Sequence, residues 1–155
     1  MIGIVDYGAG NIQSVMNALS FCGAKFCLAR SPEKLLSCDK ALLPGVGAFG
    51  EAMDKLRASG MDAAIKEFVS SGRYFLGICL GMQLLFEQSE EFGSNAGLGL
   101  ISGRVVKFDT ARFEQPLKVP QVGWNLLNFT KQTPINAGLD KSECLYFVHS
   151  YHVVC

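Results

Sequence analysis

The chain has 155 residues, 49% of them hydrophobic and 18% charged, against a usual charged share of about 25%. That is one domain's worth of sequence, with enough apolar material for a real core. Lysine plus arginine and aspartate plus glutamate each number 14, which excludes the net field expected of a protein built for nucleic acid or an anionic membrane.

Residues 2–5 read as a short buried strand. Asn11 is placed to cap a helix carrying Ile12, Val15, Met16 and Leu19 on one face, closed by Gly23. Residues 25–29 read as a second strand. Residues 40–43 read as a third, stopped by Pro44-Gly45. Phe49, Ala52, Met53 and Leu56 mark a helix; Met61, Ala64, Ile65, Phe68 and Val69 mark another, closed by Gly72. Residues 73–76 form a fourth strand, and a helix with Met82, Leu85 and Phe86 at helical spacing should follow. Such alternation implies an α/β fold: three layers, a mostly parallel sheet with helices on both faces. The second half changes character. Residues 105–108, 125–129 and 145–148 read as antiparallel strands added to that sheet.

Between the fourth strand and its helix stands Gly77-Ile78-Cys79-Leu80-Gly81. A cysteine between two glycines at a strand-to-helix turn is the pattern of a nucleophile elbow. The thiol is raised at the strand's carboxyl end, and the next backbone N–H is available to hold an oxyanion. A small buried cysteine is the competing explanation of the same pentapeptide. Pro44-Gly45-Val46-Gly47 leaves the third strand with two glycines and no polar side chain, as a plain turn or as a mobile backbone whose N–H groups stabilise an oxyanion. Gly8-Ala9-Gly10 lacks the third glycine of a dinucleotide fingerprint, since Gln13 stands there, and no acidic residue ends the second strand. No cofactor is expected. In an open parallel sheet, the loops at these strand ends converge.

Cys22, Cys27, Cys38, Cys79, Cys144 and Cys155 stand singly, without a C-x-x-C pair. The N-terminus shows no basic region or cleavage site of a signal peptide, so reduced thiols in a cytoplasmic protein are expected. The only histidines, His149 and His152, have no paired cysteines nearby, so no metal site is expected. A nucleophilic cysteine needs a base. The two histidines are the candidates, with structural or ligand-contacting roles an equal alternative.

Six blocks occur in order: Asp6-Tyr7-Gly8-Ala9-Gly10-Asn11-Ile12, Leu43-Pro44-Gly45-Val46-Gly47, Gly77-Ile78-Cys79-Leu80-Gly81-Met82-Gln83-Leu84-Leu85, Gly97-Leu98-Gly99-Leu100-Ile101, Gly123-Trp124-Asn125 and Phe147-Val148-His149-Ser150-Tyr151. With these the chain strongly resembles the glutaminase subunit of imidazole glycerol phosphate synthase, a class I glutamine amidotransferase of histidine biosynthesis. The resemblance covers essentially the whole chain as a single amidotransferase-like domain. It implies that Cys79 attacks the side-chain amide of glutamine, forming a thioester and releasing ammonia. Leu80 N–H and the peptide around Val46 and Gly47 would hold the oxyanion. Gln83, Glu91 and the Ser150-Tyr151 backbone would hold glutamine, with Glu91 as counter-charge to its α-amino group. Gly10, Asn11, Trp124 and Tyr146 would face a barrel-shaped cyclase subunit in a heterodimer, hydrolase chemistry on this side and lyase chemistry on the other.

Two departures stand out. The family normally continues through a His-Pro-Glu segment supplying the base and its orienting acid, and neither His149 nor His152 aligns with that base. The chain is therefore expected to be C-terminally incomplete and inactive by itself. Gln121 stands where the family usually has His before Gly-Trp-Asn. The alternatives are a paralogous subunit feeding another synthase, such as one for a surface sugar, a catalytically dead partner-binding module, and a stand-alone cysteine hydrolase.

Overall fold

In the computed structural model, which describes residues 1–115, 117–140 and 142–155, four strands form a parallel sheet. They are β1 (Ile2–Val5), β2 (Phe26–Ala29), β3 (Lys40–Gly45) and β4 (Phe75–Cys79), in the order β2-β1-β3-β4. The chain resolves into two compact units, Met1–Val106 with Val153–Cys155, and Lys107–His152.

The helices of the first unit follow the apolar spacing. α1 (Ile12–Phe21) starts where expected, with the Asn11 side chain accepting the Ser14 N–H at 3.2 Å. α3 (Phe49–Ala58) buries Phe49, Ala52, Met53 and Leu56; α4 (Met61–Ser70) buries Met61, Ala64, Ile65 and Phe68. Between β2 and β3 lies α2 (Pro32–Leu36), which is too short for periodicity to reveal. Its signal is local: Ser31 accepts the Lys34 N–H at 3.3 Å and Pro32 opens the helix.

Three local expectations are corrected. β3 does not stop before Pro44-Gly45 but includes both. β1 pairs with β3 only as far as Leu42, and the Pro44 carbonyl faces that vacated side, where Tyr7 bonds it. The proline's missing N–H therefore leaves no ladder bond unmade. β4 starts at Phe75 rather than at residue 73. Arg73 is instead a tie, donating to the carbonyls of Leu36 at 2.6 Å and Cys38 at 2.8 Å and lying 3.9 Å over the Phe68 ring. Finally, the helix after Cys79 is the single turn α5 (Leu80–Gln83), and Phe86 opens β5 (Phe86–Ser89). So few apolar residues cannot separate a helical from a strand period; pairing decides.

β5 pairs antiparallel with β6 (Asn95–Ala96) and parallel with β7 (Ile101–Lys107), in a sheet ordered β10-β7-β5-β6 with β10 (Tyr151–Val154). β8 (Gln121–Leu126) and β9 (Cys144–His149) form a separate antiparallel pair. The later strands thus build sheets of their own instead of extending the parallel one. β8 also lies earlier than the apolar run at 125–129 suggests, because its register with β9, Trp124 opposite Tyr146, sets it. The fully buried large side chains, among them Phe49, Phe68, Ile4, Leu43 and Met53, all belong to the first unit. Among the described residues of Lys107–His152 only Asn136 is buried. No helix among the described residues is long and apolar enough to cross a membrane.

Candidate active site

β4 ends on Cys79 and α5 begins with the next residue. Cys79 sits at φ 55° and ψ −121°, a backbone region sparsely populated by L-residues that costs on the order of 1–3 kcal/mol. Strain at the residue joining strand to helix is the signature of a nucleophile elbow, and the Cys79 thiol is exposed.

The glycines around it are required by contact. A Cβ on Gly81 would overlap the Leu43 carbonyl, and one on Gly77 would stand 2.5 Å from Met82 Cα. β3 closes against the turn in the same way, since a Cβ on Gly45 would lie 2.6 Å from Gly81 N. Gly45 is also the register partner of Cys79 across the β3–β4 ladder. Three glycines thus let two backbones meet where side chains would hold them apart.

That contact brings β3's exit to the elbow. Residues 46–48 lead from β3 to α3, with Val46 56% exposed and Gly47 at φ +92° in open space. Leu80 is the first residue of α5, where a helix offers its N–H groups no internal acceptor. Gln83 closes α5, half-buried. Glu91 follows β5, and its Oε2 accepts the Phe49 N–H at 2.7 Å. Cys79, Leu80, Gln83, Val46, Gly47 and Glu91 all belong to the first unit.

Tyr7 carries a role that the sequence motif did not reveal. Its hydroxyl donates to the Pro44 carbonyl at 3.2 Å, and burial pushes its pKa up to about 12. Gly10 lies against the same proline, where a Cβ would fall 3.3 Å from the ring. A tyrosine in an apolar-flanked Asp-Tyr-Gly turn was the only signal available. Asn11, exposed, spends its side chain on capping α1.

The second unit holds the remaining residues. His149 and His152 both pack on Phe108, with ring centroids 5.2 Å and 4.7 Å away, and His149 Nδ1 meets the Tyr151 carbonyl at 2.8 Å. Ser150 accepts the Phe108 N–H on its carbonyl at 3.1 Å. Trp124 and Tyr146 form an edge-on pair at 5.5 Å, 72% and 53% exposed. With Val122, Leu126 and Val148, also exposed, they make one apolar face of the β8–β9 pair. Gln121, opposite His149, donates from Nε2 to Asn125 Oδ1 at 2.8 Å.

A parallel α/β sheet with a cysteine elbow at a strand's carboxyl end is shared by several hydrolytic classes, and comparison with known proteins separates them. A profile of the class-I glutamine amidotransferases matches residues 3–155. A crystal structure of a glutamine amidotransferase superposes with a TM-score of 0.68 at 18% identity, over 95% of this chain and 70% of that one. The chain belongs to the class-I glutamine amidotransferase family. Within it the relatives are narrower. The imidazole glycerol phosphate synthase subunit HisH of Sulfurimonas denitrificans is 58% identical over 155 residues, 100% of this chain and 74% of its own length. The HisH subunit of Bacillus subtilis is 48% identical over 156 residues, 99% of this chain and 72% of its own length.

Proposed function

We propose that the chain is the glutamine-hydrolysing subunit of an imidazole glycerol phosphate synthase, supplying ammonia to a cyclase subunit in histidine biosynthesis. One observation carries this reading: Cys79 stands strained and exposed at the β4–α5 turn, with the end of β3 at Gly45 packed against the start of α5 through glycine contacts. The Cys79 sulfur attacks the side-chain carbonyl carbon of glutamine, and the carbonyl oxygen takes the negative charge. Leu80 N–H and a peptide N–H at Val46 or Gly47 hold that oxygen. Collapse of the adduct expels the amide nitrogen as ammonia once it has taken a proton, leaving a thioester that water cleaves to glutamate. Gln83 and Glu91 hold the amino-acid end, Glu91 opposite the ammonium. An unpaired charge in a closed pocket is costly. Proton delivery and water activation call for a general acid–base, worth about 10²–10⁴-fold. The family pattern assigns that task to neither His149 nor His152, and both rings are engaged with Phe108.

The apolar face of β8–β9 supports the partner half of the proposal. Interfaces concentrate their energy in a few aromatic anchors, and Trp124 with Tyr146 is such a pair on an exposed face. Ammonia passes between subunits without meeting bulk water. Labelling Cys79 with a glutamine-like electrophile, with and without the cyclase subunit, tests the assignment. Faster labelling with the partner is expected. Equal labelling without it would point to a stand-alone hydrolase, and none at all to a binding module.

A further inference from the structure

Residues 46–48 join β3 to α3, and both ends of this link are held by side chains from distant parts of the sequence. On the β3 side, Tyr7 donates to the Pro44 carbonyl. On the α3 side, the Phe49 N–H donates to Glu91 Oε2 at 2.7 Å, across 42 residues of sequence. α3 has no cap of its own, because Ala48 at its N-cap makes no side-chain hydrogen bond. The first N–H groups of a helix have no acceptor within it. A carboxylate there makes a charge-assisted bond and meets the positive end of the helix dipole.

Glu91 is itself fixed in place. Its N–H donates to Ser89 Oγ at 3.2 Å, and Asn95 Nδ2 donates to its carbonyl at 2.7 Å. Ser89 is buried, and Asn95 closes on α3 where a Cβ on Gly50 would fall 2.6 Å from Asn95 Oδ1. The turn after β5 and the first turn of α3 are therefore built as one joint. Only the short link 46–48 lies between that joint and the sheet.

We propose that Glu91 is a positioning residue for the oxyanion loop, its carboxylate holding the Phe49 N–H so that residues 46–47 keep their place beside Cys79. This rests on the reading of those residues as oxyanion donors. It gives Glu91 a task separate from pairing with the glutamine ammonium, and it makes substrate seating and loop position share one carboxylate.

Three variants in the complex with the cyclase subunit separate the two tasks. Glu91→Gln keeps an acceptor for the Phe49 N–H but loses the charge. Glu91→Asp keeps the charge but withdraws it by one methylene. Glu91→Ala keeps neither. Hydrogen exchange at the Phe49 amide should quicken about tenfold or more in Glu91→Ala and Glu91→Asp, and stay within about threefold of wild type in Glu91→Gln. Cys79 is then labelled at saturation with a chloroketone analogue of glutamine, whose thiol adduct carries an oxyanion before chloride leaves. Iodoacetamide, which forms no oxyanion, is the control. The limiting chloroketone rate should fall with Glu91→Ala and Glu91→Asp and hold in Glu91→Gln, whose apparent affinity alone weakens; the iodoacetamide rate should not change. Unchanged Phe49 exchange in both Glu91→Ala and Glu91→Asp overturns the proposal, as does a limiting rate lost equally in Glu91→Gln. A wild-type Cys79 that resists the chloroketone would instead sink the glutaminase reading, while amide exchange still decides what Glu91 holds.

Discussion

The two units spend their apolar residues in opposite ways. Met1–Val106 holds the fully buried large side chains of the described residues, though Phe21 and Phe92 stay exposed, and at the elbow its backbones meet so closely that only glycine fits. Lys107–His152 buries only Asn136 among its described residues and leaves Trp124, Leu126, Val122, Leu145, Tyr146 and Val148 exposed. A large apolar face on an antiparallel pair is a docking surface or an aggregation liability. The comparison teaches that chemistry and association make different demands: a reactive thiol needs a rigid cradle, while a docking face needs apolar area kept outside the core.

If the cradle is as tight as the glycine contacts indicate, Gly81→Ala gives the largest effect. The new methyl meets the Leu43 carbonyl, which belongs to a sheet strand and cannot retreat. A loss of more than about 4 kcal/mol, or failure to fold, is expected in denaturant titration. A near-normal midpoint would show that the two backbones separate easily.

The opposite behaviour is expected in the second unit. Trp124→Ala should weaken cyclase binding by about 2–4 kcal/mol, on the scale of interface hot spots, and leave the melting temperature of the isolated chain nearly unchanged. Titration calorimetry beside a thermal melt reads both quantities. A large drop in melting temperature would place Trp124 in a core and erase the contrast between units.

Tyr7 sharpens the contrast through pH. Its phenol, 5% exposed, is raised by burial from 10.0 to about 12. The neutral form is thus favoured in the folded state, and the unfolded chain gives up its proton first. The stabilisation is fully present below pH 10, falls as pH rises through the window from 10 to 12, and amounts to about 2–3 kcal/mol at most. Tyr7→Phe should therefore lose less stability than wild type between those pH values. Parallel curves for the two proteins would contradict the burial of the Tyr7 phenol.

The smallest effect has the opposite sign. Cys79→Gly should stabilise the fold by about 1 kcal/mol, because glycine adopts the positive φ of the elbow without strain, while abolishing thioester formation. Destabilisation would mean that the thiol side chain contributes packing the exposed position does not suggest.

Much of the first unit was legible without coordinates. The spacing of Phe49, Ala52, Met53 and Leu56 and of Met61, Ala64, Ile65 and Phe68 identified α3 and α4, because a helix buried on one side writes its period into the sequence. Gly77-Ile78-Cys79-Leu80-Gly81 announced the elbow for a related reason: only glycine permits that approach of backbones. The short elements α2, α5 and β8 carry no such signal, since a handful of residues fits either period and pairing partners settle the matter.

The sequence by itself determined where a glycine-flanked cysteine joins strand to helix, which helices form the core and which family pattern the chain carries, since each is encoded in residue type and local spacing. Tertiary structure alone decided that Tyr7 secures Pro44, that Glu91 reaches back 42 residues to the first N–H of α3, and that Trp124 meets Tyr146 across a strand pair. These are contacts between segments far apart in the chain. In the first two, one partner is a backbone group that every residue carries alike, and in the third the β8–β9 register sets the pairing, so no local residue pattern announces them.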